Sequence, residues 1–432
     1  MKGKAPETTR YMAAESDTRE MESMKDKHLL IIATLDTKGR EAGYVQEVAA
    51  ELGVNPILMD IGTLETPKIR PDISGDSVAE AAGFDLPDLK KNRDRPGSVK
   101  AMQEGGMLRA KGLLRANRLD GVIGLGGGTG TTIVSAIMRS LPFGLPKIIV
   151  STVASRDTRE YIGTKDIVMF HSVADLLGFN EFIRLILGQA THAVCGMMGR
   201  ERTLKKEKLI IGVTAYGVNS QCAVLAEDFL REKGYEMMGF HANGCGGMAM
   251  EELIAEGQIA GVLDFNPHEI PDDLFGGYCK GIGPDRLETA GRMGIPLVLA
   301  PGGLDNAVFS PAYPMPEEFA GRRIHAHDIR FCVRMGPDEM KRFARIIADK
   351  LNKSDGSATY VLIPKKGWSD ADKAGMPLFD PVANQVFVDG LRQFLNPRIT
   401  IEEMDVHISE PAFAQRAVEV LHRMMKTKQE RT

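Results

Sequence analysis

A chain of 432 residues exceeds what one hydrophobic core ordinarily serves, so two or three domains are expected. A formal net charge of −4 and an aromatic content of 6% supply neither the basic surface nor the stacking platform of a nucleic-acid binder. No apolar run reaches membrane-spanning length, which argues against a membrane partner, and five cysteines without a Cys-x-x-Cys pair point to reduced thiols in a cytoplasmic protein.

Residues 1–27 mix charges of both signs with little apolar content and read as a flexible or helical arm, of the kind that reaches a partner subunit. From residue 28 strands and helices alternate. Leu29, Leu30, Ile31, Ile32 and Ala33 form a buried-strand run ending at Thr34, followed by a helix over 39–52 and a strand over 56–61. Prolines, glycines and charges predict a long loop over 66–95 with at most one short helix, then a helix over 98–117. The apolar run Gly121 to Leu125 feeds into a glycine cluster and a helix carrying Ile133, Val134 and Ile137. Strands over 146–150 and 166–171 and a helix over 180–198 complete a first domain, 28–204, which closes in a charged linker over 199–208. In a second domain, 205–432, strands are expected at 209–214, 236–240, 259–264, 295–300 and 358–363, with helices at 222–233, 248–256, 338–351, 382–395 and 411–425. Continuous apolar strands separated by helices predict an α/β fold whose parallel sheets are covered on both faces. The halves read as a loose duplication. Each opens with a strand ending in threonine (Thr34, Thr214), and each carries a glycine-rich segment after a strand, at 126–130 and 241–247.

Gly126, Gly127, Gly128, Thr129, Gly130, Thr131 and Thr132 carry the sharpest signal. A strand–glycine loop–helix order aims bare amides and a helix N-terminus at one small volume, which favours anions and above all phosphate. Glycines there permit close approach and positive φ. The loop is neither a Walker A sequence nor Gly-x-Gly-x-x-Gly. A tight turn that is glycine-rich only for helix–sheet packing is the plainer alternative. Ligands of open parallel sheets sit beyond the carboxyl ends of strands, which gathers Asp36–Thr37–Lys38, the glycine loop and residues 151–157 in the first half. The same rule gathers 215–220, 241–247, 264–269 and 301–306 in the second.

Ala33 to Gly39, Gly124 to Thr132, Ser151 to Asp157, Phe240 to Met250, Gly283-Pro284-Asp285-Arg286-Leu287, Gly294-Ile295-Pro296 and Pro301-Gly302-Gly303-Leu304-Asp305-Asn306 together resemble the Tm-1-like ATP-binding proteins, also called UPF0261. The likeness runs from about Leu29 nearly to the C-terminus. It implies two Rossmann-like subdomains, each a mainly parallel sheet with helices on both faces, together with ATP binding and a homodimer or higher homo-oligomer. Plant members look like this unit fused to a further barrel domain, and nothing that depends on the barrel carries over.

For the first half these expectations define a triphosphate site. Gly126, Gly127, Gly128 and Gly130 offer amides, and Thr129, Thr131 and Thr132 offer hydroxyls. Thr37, Lys38 and Arg156 flank them, the two cations neutralising charge. Asp36 or Asp157 holds Mg²⁺, since one or two carboxylates suffice when phosphates complete the shell. Asp36 as a turn or helix cap, and Lys38 and Arg156 as solvated charges, are the alternatives. In the second half His241, Asp264 and Glu269 are the candidates for acid–base work on an unidentified small-molecule ligand, His241 alternatively being hydrogen-bonded into a loop. His325 and His327 lack a clear third metal ligand, and Cys245 reads as a small residue in a tight turn. The functional expectation is an ATP-binding protein with an interdomain cleft, in its catalytic form an ATP-dependent enzyme acting on a small polar carboxylate or carbonyl compound. The alternatives are a non-catalytic, ATP-gated binding module or an enzyme of phosphorylated small molecules.

Overall fold

A computed structural model describes residues 24–199 and 208–431. The expected arm over 1–27 falls largely outside these residues, and so does most of the expected linker over 199–208. The chain divides into two compact units, one ending at Leu204 and the other starting at Lys205.

The first unit is a parallel sheet of five strands: β1 (His28–Ala33), β2 (Asn55–Asp60), β3 (Gly121–Gly126), β4 (Lys147–Ser151) and β5 (Val168–His171), in the order β2-β1-β3-β4-β5. Alternate residues of a strand face opposite sides. Leu29 and Ile31 therefore pack with Ala42 and Val45 of the helix Leu35–Glu51 and with Ile183 and Leu187 of the helix Glu181–Met198. Leu30 and Ile32 face the other way, among Val78, Ala101, Ile133 and Ile137 of three further helices. Both faces are thus covered, and each fully buried Leu or Ile contributes ~1.5–3 kcal/mol.

The span 66–95 departs from the expected long loop. It holds two short helices, Gly75–Ala81 and Leu86–Lys91, whose first turns are capped by Ser74 (3.2 Å to the Ser77 amide) and Asp85 (2.9 Å to the Asp88 amide). Local capping outweighs the poor helix composition there. The next helix, Arg95–Arg115, starts earlier than expected because Asp94 caps it.

The second unit contains a six-stranded parallel sheet: β6 (Ile210–Ala215), β7 (Glu236–His241), β8 (Gly261–Asp264), β9 (Leu297–Leu299), β13 (Thr359–Pro364) and β14 (Thr400–Met404), in the order β14-β13-β9-β8-β6-β7. One face packs on the helices Ser220–Glu232 and Pro411–Arg431 through Ala226, Leu230, Phe413 and Leu421. The other packs on Cys245–Ala255, Pro337–Leu351 and Pro381–Phe394 through Ile254, Phe343 and Phe387. A three-stranded antiparallel sheet, β10 (Asn306–Phe309), β11 (Ile324–Ala326) and β12 (Phe331–Arg334), interrupts the alternation in the order β10-β12-β11. It was not legible in the sequence.

With strands numbered within each parallel sheet, both orders begin 2-1-3-4-5. The order reverses between the first and third strands, β1 and β3 in one unit and β6 and β8 in the other. The duplication is therefore one of topology. Its two glycine-rich segments do not correspond, because 126–130 follows a third strand and 241–247 follows a second.

Candidate functional site

Ligands of such sheets lie at the carboxyl ends of the strands where the order reverses. In the first unit that point is flanked by the segment after β1 (Thr34 to Lys38) and the glycine loop after β3. β3 ends at Gly126, Gly127 is the N-cap, and the helix Gly128–Arg139 begins at once. Its first intrahelical bond runs from the Thr131 amide to the Gly127 carbonyl, at 2.8 Å. The amides of Gly128, Thr129 and Gly130 precede it and have no acceptor among the described residues. No side chain caps this end.

The glycines differ in what they do. A Cβ on Gly126 would come 2.4 Å from the Thr131 nitrogen, so close packing of strand on helix requires glycine there. A Cβ on Gly128 would meet nothing within 4 Å, and one on Gly127 only Thr152 Oγ1 at 3.8 Å. None of Gly126, Gly127, Gly128 and Gly130 has positive φ, contrary to the expectation of left-handed backbone. Neither a positive φ nor close packing by the described residues accounts for glycine at 127 and 128; a ligand lying against the amides would.

The surrounding residues are placed unevenly. Thr129 and Thr132 are exposed, the first 3.4 Å from Nη2 of Arg95 and the second donating to the Gly128 carbonyl. Thr131 is buried, its hydroxyl 2.7 Å from Ser151 Oγ and 3.2 Å from the Gly126 carbonyl, so it fastens the loop to β4. Thr37 is exposed, its hydroxyl 2.7 Å from that of Thr34. Lys38 kinks its helix and donates from Nζ to the Leu176 carbonyl. Arg156 and Asp157 are exposed after β4, and Asp157 caps the Arg159 amide at 3.1 Å. Asp36 is buried: Oδ2 accepts from the amides of Leu64 and Glu65, and Oδ1 has no partner. Asp36 thus faces the β2 side, and the structure does not bring it together with Asp157.

Two residues absent from the sequence-based set stand here. Arg95 reaches Thr129 across 34 positions, which no local pattern signals. Asp60 ends β2 and lines a cavity of about 320 Å³ with Glu65, Ser74 and Lys90. Burial, with Asp36 adding to it, holds its carboxyl above the ordinary carboxylate value. The strand-end rule could have found Asp60.

In the second unit the reversal point is filled by side chains. Asp264 ends β8, accepts from Thr214 at 2.7 Å, and is bridged by two guanidinium nitrogens of Arg286. Arg286 also donates through Nε to Glu269 at 2.8 Å. Glu269 in turn accepts from the Gly244 amide at 2.6 Å and the Gly247 amide at 3.4 Å, the start of the helix Cys245–Ala255. Glu251 lies 3.9 Å from Arg286 and accepts from Leu287 and Thr289, and burial pushes its carboxyl up against the pull of Arg286. Asp264, Glu269 and Arg286 are fully buried, so both carboxylates are engaged inside the unit. His241 is exposed at the end of β7, stacked on Tyr216 at 5.2 Å. It lines a cavity of about 130 Å³ with Tyr216, Val308, His327, Arg330 and Cys332.

The fold and these sites define a two-unit parallel α/β protein of Rossmann-like design. One reversal point presents bare backbone amides, and the other holds a buried arginine–carboxylate cluster. Residues 27–203 match the N-terminal domain, and residues 208–425 the C-terminal domain, of "Uncharacterised protein family (UPF0261)". The chain belongs to the UPF0261 family. A UPF0261 protein of Clostridium tetani is 38% identical over 404 residues, covering 93% of this chain and 100% of that one. One of Rhizobium meliloti is 36% identical over 395 residues, covering 91% and 98%. The tomato (Solanum lycopersicum) ToMV resistance protein Tm-1(GCR237) is 40% identical over 310 residues, 70% of this chain but only 41% of that protein. No helix among the described residues is long and apolar enough to cross a membrane.

Proposed function

We propose that the first unit binds ATP, with its phosphate chain on the amides of Gly128, Thr129 and Gly130. One observation carries this reading: three helix-start amides lack an acceptor among the described residues, beside two positions, 127 and 128, where an added Cβ would meet at most Thr152 Oγ1 among them. Anions at such ends are stabilised by the amides and by the helix dipole. Lys38, Arg95 and Arg156 would neutralise the phosphate charge. Mg²⁺ would ride on the phosphates, with Asp36 (through its unpartnered Oδ1) or Asp157 completing its shell.

The burial of Asp264 and Glu269 against Arg286 favours an ATP-gated binding module. ATP-dependent turnover of a small carboxylate or carbonyl compound is the reading in which exposed His241 moves a proton. We place the protein in the cytoplasm, on its free thiols, as a homo-oligomer. Calorimetry with MgATP tests the site. Gly127→Leu and Gly128→Leu are expected to weaken binding at least about tenfold, ~1.4 kcal/mol, with the thermal melt preserved. Unchanged affinity overturns the cradle. Phosphate release in the presence of small hydroxy and keto acids separates enzyme from module.

A further inference from the structure

Three side chains that neither site uses converge in the second unit. His268 follows β8, Asp272 lies one turn further on in the helix Glu269–Phe275, and Cys279 comes from the segment after it. All three are buried, and one potential ligand atom from each lies within 4.8 Å of the other two. Nε2 of His268 is 3.0 Å from the Ala242 carbonyl, which can only accept, so Nε2 carries the ring proton and Nδ1 presents a lone pair. That Nδ1 is buried without any partner. An acceptor left unmatched inside a protein is destabilising. The neutral imidazole that this arrangement fixes is the ligating form. Asp272 is fixed by amides on both oxygens, Val308 at 2.7 Å and Cys279 at 2.8 Å, and each oxygen keeps a further lone pair.

We propose that His268 Nδ1, a carboxylate oxygen of Asp272 and the Cys279 thiolate bind a divalent transition-metal ion of the zinc class. The mixed nitrogen, oxygen and sulfur set favours Zn²⁺ or Co²⁺ over Mg²⁺ or Ca²⁺. Bonds of about 2.0–2.3 Å in tetrahedral array require the three atoms to close to about 3.5 Å, a rotamer adjustment from their present spacing. Binding exchanges the S–H bond of Cys279 for a metal–sulfur bond and releases the proton to solvent. The Ala242 carbonyl on Nε2 and the two amides on Asp272 are the kind of outer contacts that orient ligands. Three protein ligands leave a fourth position. Tyr216 stacks on His268 at 4.1 Å and lines the cavity that holds His241 and Arg330. Val308 is likewise shared between the cluster and that cavity.

The test is a Co²⁺ titration of the full chain after dialysis against a chelator. About one equivalent per chain is expected, with a thiolate-to-cobalt charge-transfer band in the near ultraviolet. The band should vanish in Cys279→Ser and persist in Cys332→Ser. Its absence from the wild type, or its survival in Cys279→Ser, overturns the proposal. Because Cys279→Ser disturbs a buried position, the X-ray absorption edge of the intact protein loaded with Zn²⁺ gives an independent reading. One sulfur at about 2.3 Å with nitrogen or oxygen at about 2.0 Å is expected. A shell of nitrogen and oxygen alone overturns it.

Discussion

The two units answer the same physical problem in opposite ways. Each has a helix that starts on glycines, and the first amides of any helix need an acceptor from outside it. In the second unit the protein supplies one: the Gly244 and Gly247 amides bond to Glu269, which Arg286 holds in place. In the first unit the amides of Gly128, Thr129 and Gly130 meet no carboxylate among the described residues, and the side chain that approaches Thr129 is a cation, Arg95. A glycine-rich helix start is thus not itself a ligand site. It becomes a candidate when the fold leaves out the internal anion.

The largest effect that separates the units is expected from Arg286→Ala. It strands Asp264, Glu269 and Glu251 in a buried space, and removing one partner of a buried ion pair costs ~3–5 kcal/mol. The chain's one tryptophan, Trp368, is buried in the second unit, so its emission reports that unit in a denaturant titration. A midpoint equal to the wild type would show that the cluster is not what holds this reversal point together. Glu269→Gln should act in the same direction but less, ~1.5–3 kcal/mol, because an amide oxygen still accepts from Gly244 and Gly247 but the side chain no longer pairs with Arg286.

Dependence on buried ionisable groups also makes the second unit sensitive to pH. Burial raises the Asp272 carboxyl from 3.8 to about 7, and raises Asp372, beside Asp305, to about 7 as well. Between those values the folded state binds protons that the unfolded state has released. Their contribution is therefore full below pH 3.8 and is lost as pH rises to 7. His268, drawn from 6.5 down to about 3, works oppositely, its contribution being lost as pH falls through that window. With Glu251 also raised by burial beside the two aspartates, against the lowered rings of His268 and His422, Trp368-monitored stability in the presence of a chelator should fall from pH 4 to 6.5. Asp272→Asn should flatten that slope, although it lowers stability overall by misfitting the amides of Val308 and Cys279. A slope identical in both proteins would remove Asp272 from the balance.

For the first unit, Lys38→Ala and Arg156→Ala should each weaken MgATP binding by ~1 kcal/mol, in the range of a partly exposed ion pair, and should weaken AMP binding less. Equal losses on ATP and AMP would mean that neither cation meets the outer phosphates.

Strands were legible where apolar residues run without interruption, as in β1, β3 and β6, because sheets covered on both faces need them. β14 escaped notice because Glu402 and Glu403 sit within it, a composition that an edge strand tolerates and a central one does not. The sheet of β10, β11 and β12 escaped because its strands are too short for any periodicity to show. The glycine loop was visible as a string of residues, but whether its amides are free depends on what else the fold brings near. Arg286 stood inside a recognisable motif, yet its partners lie 17 and 22 positions away and meet it only after the second unit folds. The convergence of His268, Asp272 and Cys279 gave no spacing signal either, since Cys279 joins from the segment after the helix.

The finest test gives the first unit what the second already has. Gly128→Asp places a carboxylate in the first turn of the helix Gly128–Arg139, at a position where an added Cβ meets nothing within 4 Å. An acidic residue there is favourable to the dipole by ~0.3–1 kcal/mol, and aspartate also gains over glycine in helix propensity. The melting temperature should therefore rise slightly. MgATP affinity should fall, since the new anion occupies the amides and repels phosphate. Opposite signs in the two measurements would show that the bare helix start is a stability cost retained for a ligand. Lower stability with unchanged nucleotide affinity would show instead that these amides serve only the turn between β3 and its helix.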